Sequence, residues 1–243
     1  MTLLSFERVS KRYLDLGVHE QVVLDDVSFE VAAGTSVGVW GPRRSGKSTL
    51  LRIAAGIELP DAGAVRFRGR DVARLSDRER ARLVRSEIGL APASWRETRN
   101  VRVVEQVALP LLSGGASMRE ASVRARAVLE RVGATSRADA PIFELSPGER
   151  TRVAIARGLV RDPSLLLVDE PALTPSPAER DELYALLRSL AGERGLTVLV
   201  ASEDLAAIRT ARHAMTISDG RLRSSQRAGR VVPFPEGRAQ RGG

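Results

Sequence analysis

The sequence predicts an α/β protein: a mostly parallel sheet flanked by helices, with a helical insert dividing the core. Three observations predict it. Short, almost wholly apolar runs alternate with stretches of helical periodicity along the chain. One run, SVGVW at residues 36–40, leads directly into GPRRSGKST at residues 41–49, the layout of a phosphate-binding loop. Another, LLLV at residues 165–168, ends in two adjacent acids, Asp169 and Glu170.

In chain order the runs are VLDDVSFEV (23–31), SVGVW (36–40), LLLVD (165–169), TVLVA (197–201) and AMTIS (214–218). Runs this apolar suit strands buried on both faces, and the helical stretches between them imply parallel crossovers. From residue 89 to residue 145 the pattern changes. Apolar residues recur at helical spacing in VVEQVALPLL (103–112) and MREASVRARAVLERVG (118–133), which predicts a mostly helical insert between core segments 1–88 and 146–222. The last stretch, 223–243, reads as a basic disordered tail: from Arg221 onward six arginines stand against one glutamate, among Pro, Gly and Ser. No internal repeat is visible.

A length of 243 residues suits one large domain, or one domain with an insert. A hydrophobic fraction of 43% with 28% charged residues is ordinary for a soluble chain. No stretch approaches the roughly 18 apolar residues of a membrane-spanning helix, and residues 1–6 lack a signal-peptide layout, so a cytoplasmic location is expected. The absence of cysteine excludes disulfides and thiolate metal sites, and His19 and His213 are not at metal-ligand spacing. The net charge of +8 raises the question of nucleic acid. Only Lys11 and Lys47 are lysines, and the arginines are spread along the whole chain rather than gathered in a stripe. No specific nucleic-acid partner is expected.

The chemistry of a phosphate loop needs the residue types found here. Gly41 and Gly46 let backbone N–H groups turn inward on phosphates, and the start of the following helix adds a partial positive charge. Gly41, Pro42, Arg43, Arg44, Ser45, Gly46, Lys47, Ser48 and Thr49 are therefore candidate nucleotide-binding residues. Lys47 is placed to reach the β- and γ-phosphates, and the Ser48 hydroxyl to ligate Mg²⁺. Arg43 and Arg44 fall in positions the pattern leaves free. They read either as solvated surface side chains or as added positive charge near the phosphates. At position 44 a side chain restricts the positive φ that glycine takes freely. Asp169 is placed to meet the metal, and Glu170 to act on an attacking water.

LSPGERTRVAIARGLVRDPSLLLVDEP, residues 145–171, resembles the signature and acidic strand of ATP-binding cassette (ABC) subunits. VLDDVSFEV, VVEQVALPLL and SDGRL (218–222) agree with it, so the resemblance spans about residues 3–222. It lies nearest to cassettes serving lipoprotein-release and macrolide-export-type transporters. The resemblance implies a P-loop NTPase core and an ABC-type ATPase with ATP and Mg²⁺ as cofactors. It also implies a transmembrane permease as partner and a peripheral place at the cytoplasmic face of the membrane. In that family two cassettes sandwich two ATP molecules, each between one subunit's phosphate loop and the other's signature. Carried over, Tyr13 matches the aromatic that stacks on adenine, Lys47 and Glu170 the catalytic groups, and Ser48 and Asp169 the metal-linked ones. Ser146, Gly148 and Glu149 match the signature.

Four positions depart from the family pattern. Ala93 stands where the family has a glutamine that touches Mg²⁺, Ser176 where it has an interface aspartate, Glu203 where it has a histidine on the γ-phosphate, and Pro147 where the signature has its first glycine. Ser146-Pro147-Gly148-Glu149 and Ser176-Pro177-Ala178-Glu179 both read as capping boxes with proline at the first helical position. Glu203 reads in two ways: a like charge beside the γ-phosphate, or an acid beginning the next helix. Trp95-Arg96-Glu97-Thr98-Arg99 replaces the apolar stretch with which the family helps receive a permease helix. These departures lead to the expectation of impaired hydrolysis and of pairing with a more complete second cassette. The alternative is a soluble nucleotide-dependent switch or nucleic-acid-associated cassette without a permease, although such proteins usually carry two cassettes in one chain.

Overall fold

A computed structural model describes residues 1–15, 19–93, 101–171, 176–193 and 195–225. In chain order these form β1 (Thr2–Asp15), β2 (His19–Ala32), β3 (Ser36–Trp40), α1 (Lys47–Ala54), β4 (Ala62–Phe67), β5 (Arg70–Asp71), α2 (Asp77–Glu87) and β6 (Ile88–Ala91). Then follow α3 (Val103–Leu112), α4 (Met118–Arg131), α5 (Pro147–Leu159), β7 (Leu165–Asp169), α6 (Pro177–Gly192), β8 (Thr197–Ser202), α7 (Leu205–Ile208), β9 (His213–Ser218) and β10 (Arg221–Ser225).

The strands make two sheets. One has the order β10-β9-β3-β8-β7-β6, with every pair parallel except β10 on β9. The other is antiparallel, in the order β2-β1-β4-β5. VLDDVSFEV therefore belongs to β2 of the antiparallel sheet, not to the parallel one, while the other four apolar runs are parallel-sheet strands as expected.

Period-two alternation sends neighbouring residues of each parallel strand to opposite faces, and here both faces are covered. Leu166, Val168, Val198 and Val200 enter a core shared with α3, α4, α5 and α6. Leu165, Leu167, Leu199 and Ala201 enter a second core with α1 and the antiparallel sheet, including Leu50, Leu51, Ile53, Leu4, Phe6, Val65 and Phe67. Helix α1 is thus held between two sheets. The insert is helical because its apolar residues sit one turn apart: Ala121, Ala125 and Leu129 make one buried stripe on α4.

Two expected boundaries shift. Residues 89–91, assigned to the insert, pair with β7 as part of β6. Residues 223–225, assigned to the tail, pair with β9 as part of β10. Residues 226–243 and the stretch from Trp95 to Arg99 lie outside the described residues. Among the described residues no helix is long and apolar enough to cross a membrane.

Gly89 shows how tightly β6 is laid against α5. A Cβ there would stand 2.3 Å from the carbonyl oxygen of Gly158, which is backbone and cannot turn aside. Gly89→Ala should therefore cost about 1–3 kcal/mol or more through overpacking, read as a lowered urea midpoint with an unchanged slope.

Candidate functional site

The site forms where three strands end together. Trp40, the last residue of β3, pairs with Ser202 of β8, and Asp169, the last of β7, pairs with Ala201 of β8. That register sets the loop after β3, the acids after β7 and the turn after β8 side by side at the carboxyl edge of the sheet, where α/β folds place ligand sites. A cleft of about 440 Å³ opens there, lined by Tyr13, Gln21, Val23, residues 43–49, Glu170 and Glu203.

The loop has the shape of a phosphate cradle. Gly46 takes φ +101 at the start of α1, and a Cβ on it would stand 2.5 Å from the carbonyl oxygen of Val23. Only glycine fits that place. Arg44 holds φ +61 in spite of its side chain, at a cost of about 1 kcal/mol relative to glycine. Gly41 and Pro42 do not line the cleft; they lie beneath it, and their carbonyl oxygens each accept from Lys47 Nζ at 2.8 Å.

Lys47 makes a third contact, an ion pair with Glu170 Oε1 at 3.1 Å, with the two side chains only 6% and 13% exposed. All three ammonium protons thus have partners. Glu170 is as firmly held. Its backbone sits at φ +46, its N–H donates to Ala201 O at 2.8 Å, and its Oε2 accepts from Ser202 Oγ at 3.0 Å and from the Glu203 N–H at 3.1 Å. A carboxylate in a left-handed backbone held by two strands is the kind of strain that gathers at functional sites.

Asp169 lies just behind. Burial pushes its carboxyl above the usual carboxylate range, and the neighbouring Glu170 charge adds to this, against a hydrogen bond from Ser48 and the Lys47 charge. Asp169 Oδ1 and Ser45 Oγ are buried with no hydrogen-bond partner among the described residues. Buried oxygens of this kind beside a glycine cradle fit a nucleotide phosphate with its Mg²⁺. No cluster of three or more acidic or histidine side chains that could hold a metal ion occurs among the described residues.

Tyr13 stands at the mouth of the cleft with its hydroxyl fixed. It donates to Glu58 Oε1, accepts from Arg52 at 3.1 Å, and lies 3.4 Å from Thr49 Oγ1. The Arg52–Glu58 clamp gave no signal in the sequence, because nothing local marks two ordinary charged residues as supports for an aromatic ring. Gln21 and Val23 are further lining residues the sequence did not reveal.

Glu203 does not itself begin the next helix. It immediately precedes Asp204, which caps α7 through the Ala206 N–H, and it also lines the cleft. Its carboxylate meets Arg43 Nε at 3.3 Å, with the two side chains 37% and 83% exposed. The unexpected acid therefore faces an arginine of the phosphate loop. Ala93 is exposed at the end of the described stretch after β6. Ser146, Gly148 and Glu149 lie elsewhere, at the start of α5. There Ser146 Oγ accepts the Glu149 N–H at 3.2 Å, and Glu149 returns Oε2 to the Ser146 N–H at 2.9 Å while its Oε1 holds Arg137 at 2.6 Å.

A parallel sheet with a glycine cradle, a buried lysine and two strand-end acids at its carboxyl edge defines a nucleotide-binding P-loop protein. The family description "ABC transporter" matches residues 24–173. The lipoprotein-releasing system ATP-binding protein LolD 2 of Caulobacter vibrioides is 38% identical over 82% of this chain and 88% of its own length. LolD of Ruegeria sp. is 36% identical over 90% of this chain and 96% of its own. Among solved structures, the ATP-binding cassette MJ0796, a dimer in a post-hydrolysis state bound to ADP and Pi, superposes with a TM-score of 0.85 at 28% identity, covering 93% of this chain and 99% of that one. The cbiO1 subunit from Clostridium perfringens, part of the ABC transporter complex cbiONQ, gives 0.78 at 25% identity over 91% and 87% of the two chains. The chain belongs to the ABC transporter family, as an ATP-binding subunit similar to those of lipoprotein-releasing systems.

Two measurements follow from this geometry. Lys47→Ala removes the one buried cation of the cradle and should weaken binding of a fluorescent ATP analogue by about tenfold or more, as charged hydrogen bonds of this type imply. Arg43 and Glu203 should act on the nucleotide as opposing charges whose effects add. Glu203→Gln should tighten binding a few-fold, Arg43→Ala should weaken it, and the double variant should return close to the parent, with all three differences shrinking at high salt.

Proposed function

We propose that this chain binds Mg-ATP in the cleft below Tyr13 and powers a membrane permease from the cytoplasmic face of the membrane. In this reading it hydrolyses ATP slowly and works beside a more complete second cassette. The observation that carries the reading is the buried Lys47–Glu170 pair beneath an intact glycine cradle.

Each residue has a part in it. The Tyr13 ring, with its hydroxyl already tied down, offers a face to the base. The loop N–H groups and Lys47 hold the phosphates, and arrival of the terminal phosphate gives Lys47 a stronger anion than Glu170. That exchange leaves a Glu170 oxygen available to take a proton from an attacking water, with Ser202 and the Glu203 N–H keeping the carboxylate aimed. Ser48 and Asp169 would hold Mg²⁺, which neutralises charge developing on the phosphates. The buried, unpartnered Asp169 Oδ1 supports that assignment.

The slow-hydrolysis part rests on what replaces the family's groups. Ala93 offers the metal no side-chain oxygen. Glu203 brings an acid where the family has a donor to the γ-phosphate; two like charges about 4 Å apart at an effective dielectric near 20 repel by roughly 4 kcal/mol. Arg43 offsets part of this, but an exposed partner offsets less than a buried one. Similarity to LolD and cbiO1 supports the permease as partner.

Steady-state phosphate release by the purified chain, with Glu170→Gln as background, tests the reading. Turnover close to that background is expected, and Glu203→His combined with Ala93→Gln should raise it by about tenfold or more. Rapid turnover by the chain alone, abolished by Glu170→Gln, would show that the missing groups are compensated.

A further inference from the structure

Two helices open on the same pattern, Ser146-Pro147-Gly148-Glu149 at α5 and Ser176-Pro177-Ala178-Glu179 at α6, yet the two glutamates part ways. At α5 the box closes on itself, with Glu149 returning to the Ser146 N–H. At α6 only half of it forms. Ser176 Oγ accepts the Glu179 N–H at 3.4 Å, but the Glu179 side chain leaves its own helix and crosses to the start of α5. There Ser146 Oγ donates to Glu179 Oε1. A Cβ built on Gly148 would stand 2.8 Å from Cδ and 2.9 Å from Oε2 of Glu179, so the carboxylate is packed onto the first turn of α5.

The consequence rests on the reading above, in which a nucleotide carried by a second cassette brings its terminal phosphate to Ser146 and Gly148. We propose that Glu179 sets the phosphate affinity of this end of the chain. Its carboxylate occupies the place an incoming phosphate needs, and the phosphate docks only once Glu179 has withdrawn. The Ser146 hydroxyl has one proton to give, and Glu179 has taken it. A helix start attracts an anion, but a second anion beside the first is repelled. Glu149 is already in this turn with its charge met by Arg137, so Glu179 is an additional acid there. Pro147 supplies no N–H, which leaves this turn one donor poorer for the newcomer. Withdrawal leaves α6 capped, because Ser176 is bonded to the backbone N–H of Glu179 and not to its side chain.

The test measures self-association by sedimentation in Mg-ATP, with Glu170→Gln present in every protein to hold back turnover. Each variant's nucleotide affinity is measured separately at low protein concentration, where the chain is monomeric. Glu179→Gln and Glu179→Ala should strengthen the ATP-dependent dimer by about tenfold or more relative to the Glu170→Gln parent. Neither should alter nucleotide affinity at the phosphate loop or association without nucleotide. Two variants are used because glutamine keeps the shape and alanine removes the group; a shared gain assigns the effect to the charge. Dimerisation that is unchanged, or absent from all three proteins while each binds ATP, overturns the role of Glu179. Failure of every protein to bind ATP would instead overturn the functional reading on which it rests.

Discussion

Everything at the nucleotide end of this protein depends on one strand. β8 is buried at all six positions, with β3 on one side and β7 on the other. Its register with both neighbours decides that the phosphate loop and the acid pair Asp169-Glu170 finish at the same level. A slip of one residue would turn its alternating side chains to the wrong cores, so the two packed faces hold the register in place. The same strand supplies Ser202, the hydroxyl that fixes Glu170, and it is followed at once by Glu203, whose N–H does likewise. Packing on both faces is therefore what gives the site its geometry.

On that frame the charges are arranged in short chains. Lys47 is shared between two carbonyls and Glu170; Glu170 is shared between Lys47, Ser202 and the backbone of Glu203; and the Glu203 side chain turns to Arg43. The loop and the acid are thereby joined through contacts of about 3 Å. The departures from the family pattern fall unevenly over this arrangement. Cradle, lysine and strand-end acids are kept, while positions 93 and 203 are changed.

The sequence made the parallel sheet and the loop legible because both write themselves locally. A strand buried on two faces must be apolar throughout, and a backbone that wraps phosphate must be glycine at fixed spacing. The antiparallel sheet was harder to see. β1 has several register shifts against β2, and both strands expose one face, so charged residues such as Glu7, Arg8, Lys11 and Arg12 interrupt the apolar pattern. β6 and β10 are the edge strands of the larger sheet, each with one neighbour, and their residues 89–91 and 223–225 read in sequence as insert and tail. The resemblance points to Tyr13, which lines the cleft, but not to its support from Arg52 and Glu58, since those partners lie 39 and 45 residues away in sequence.

The two Ser-Pro-x-Glu starts mark the limit of local reading most clearly. Their residue types are equivalent, and local chemistry assigns the same reciprocal cap to both. What separates them is the neighbour. Beside α5 stands Arg137, which meets Glu149 and lets it stay over its own helix. Glu179 is drawn instead to the hydroxyl of another helix start, where Gly148 leaves room for a carboxyl group that a Cβ would exclude. Gly148 thus has a structural use in the isolated chain, apart from any nucleotide, and the same absence of a side chain that admits Glu179 is what would admit a phosphate. A glycine kept for one anion makes room for the other, so competition between them follows from the shape of the turn as well as from its charge.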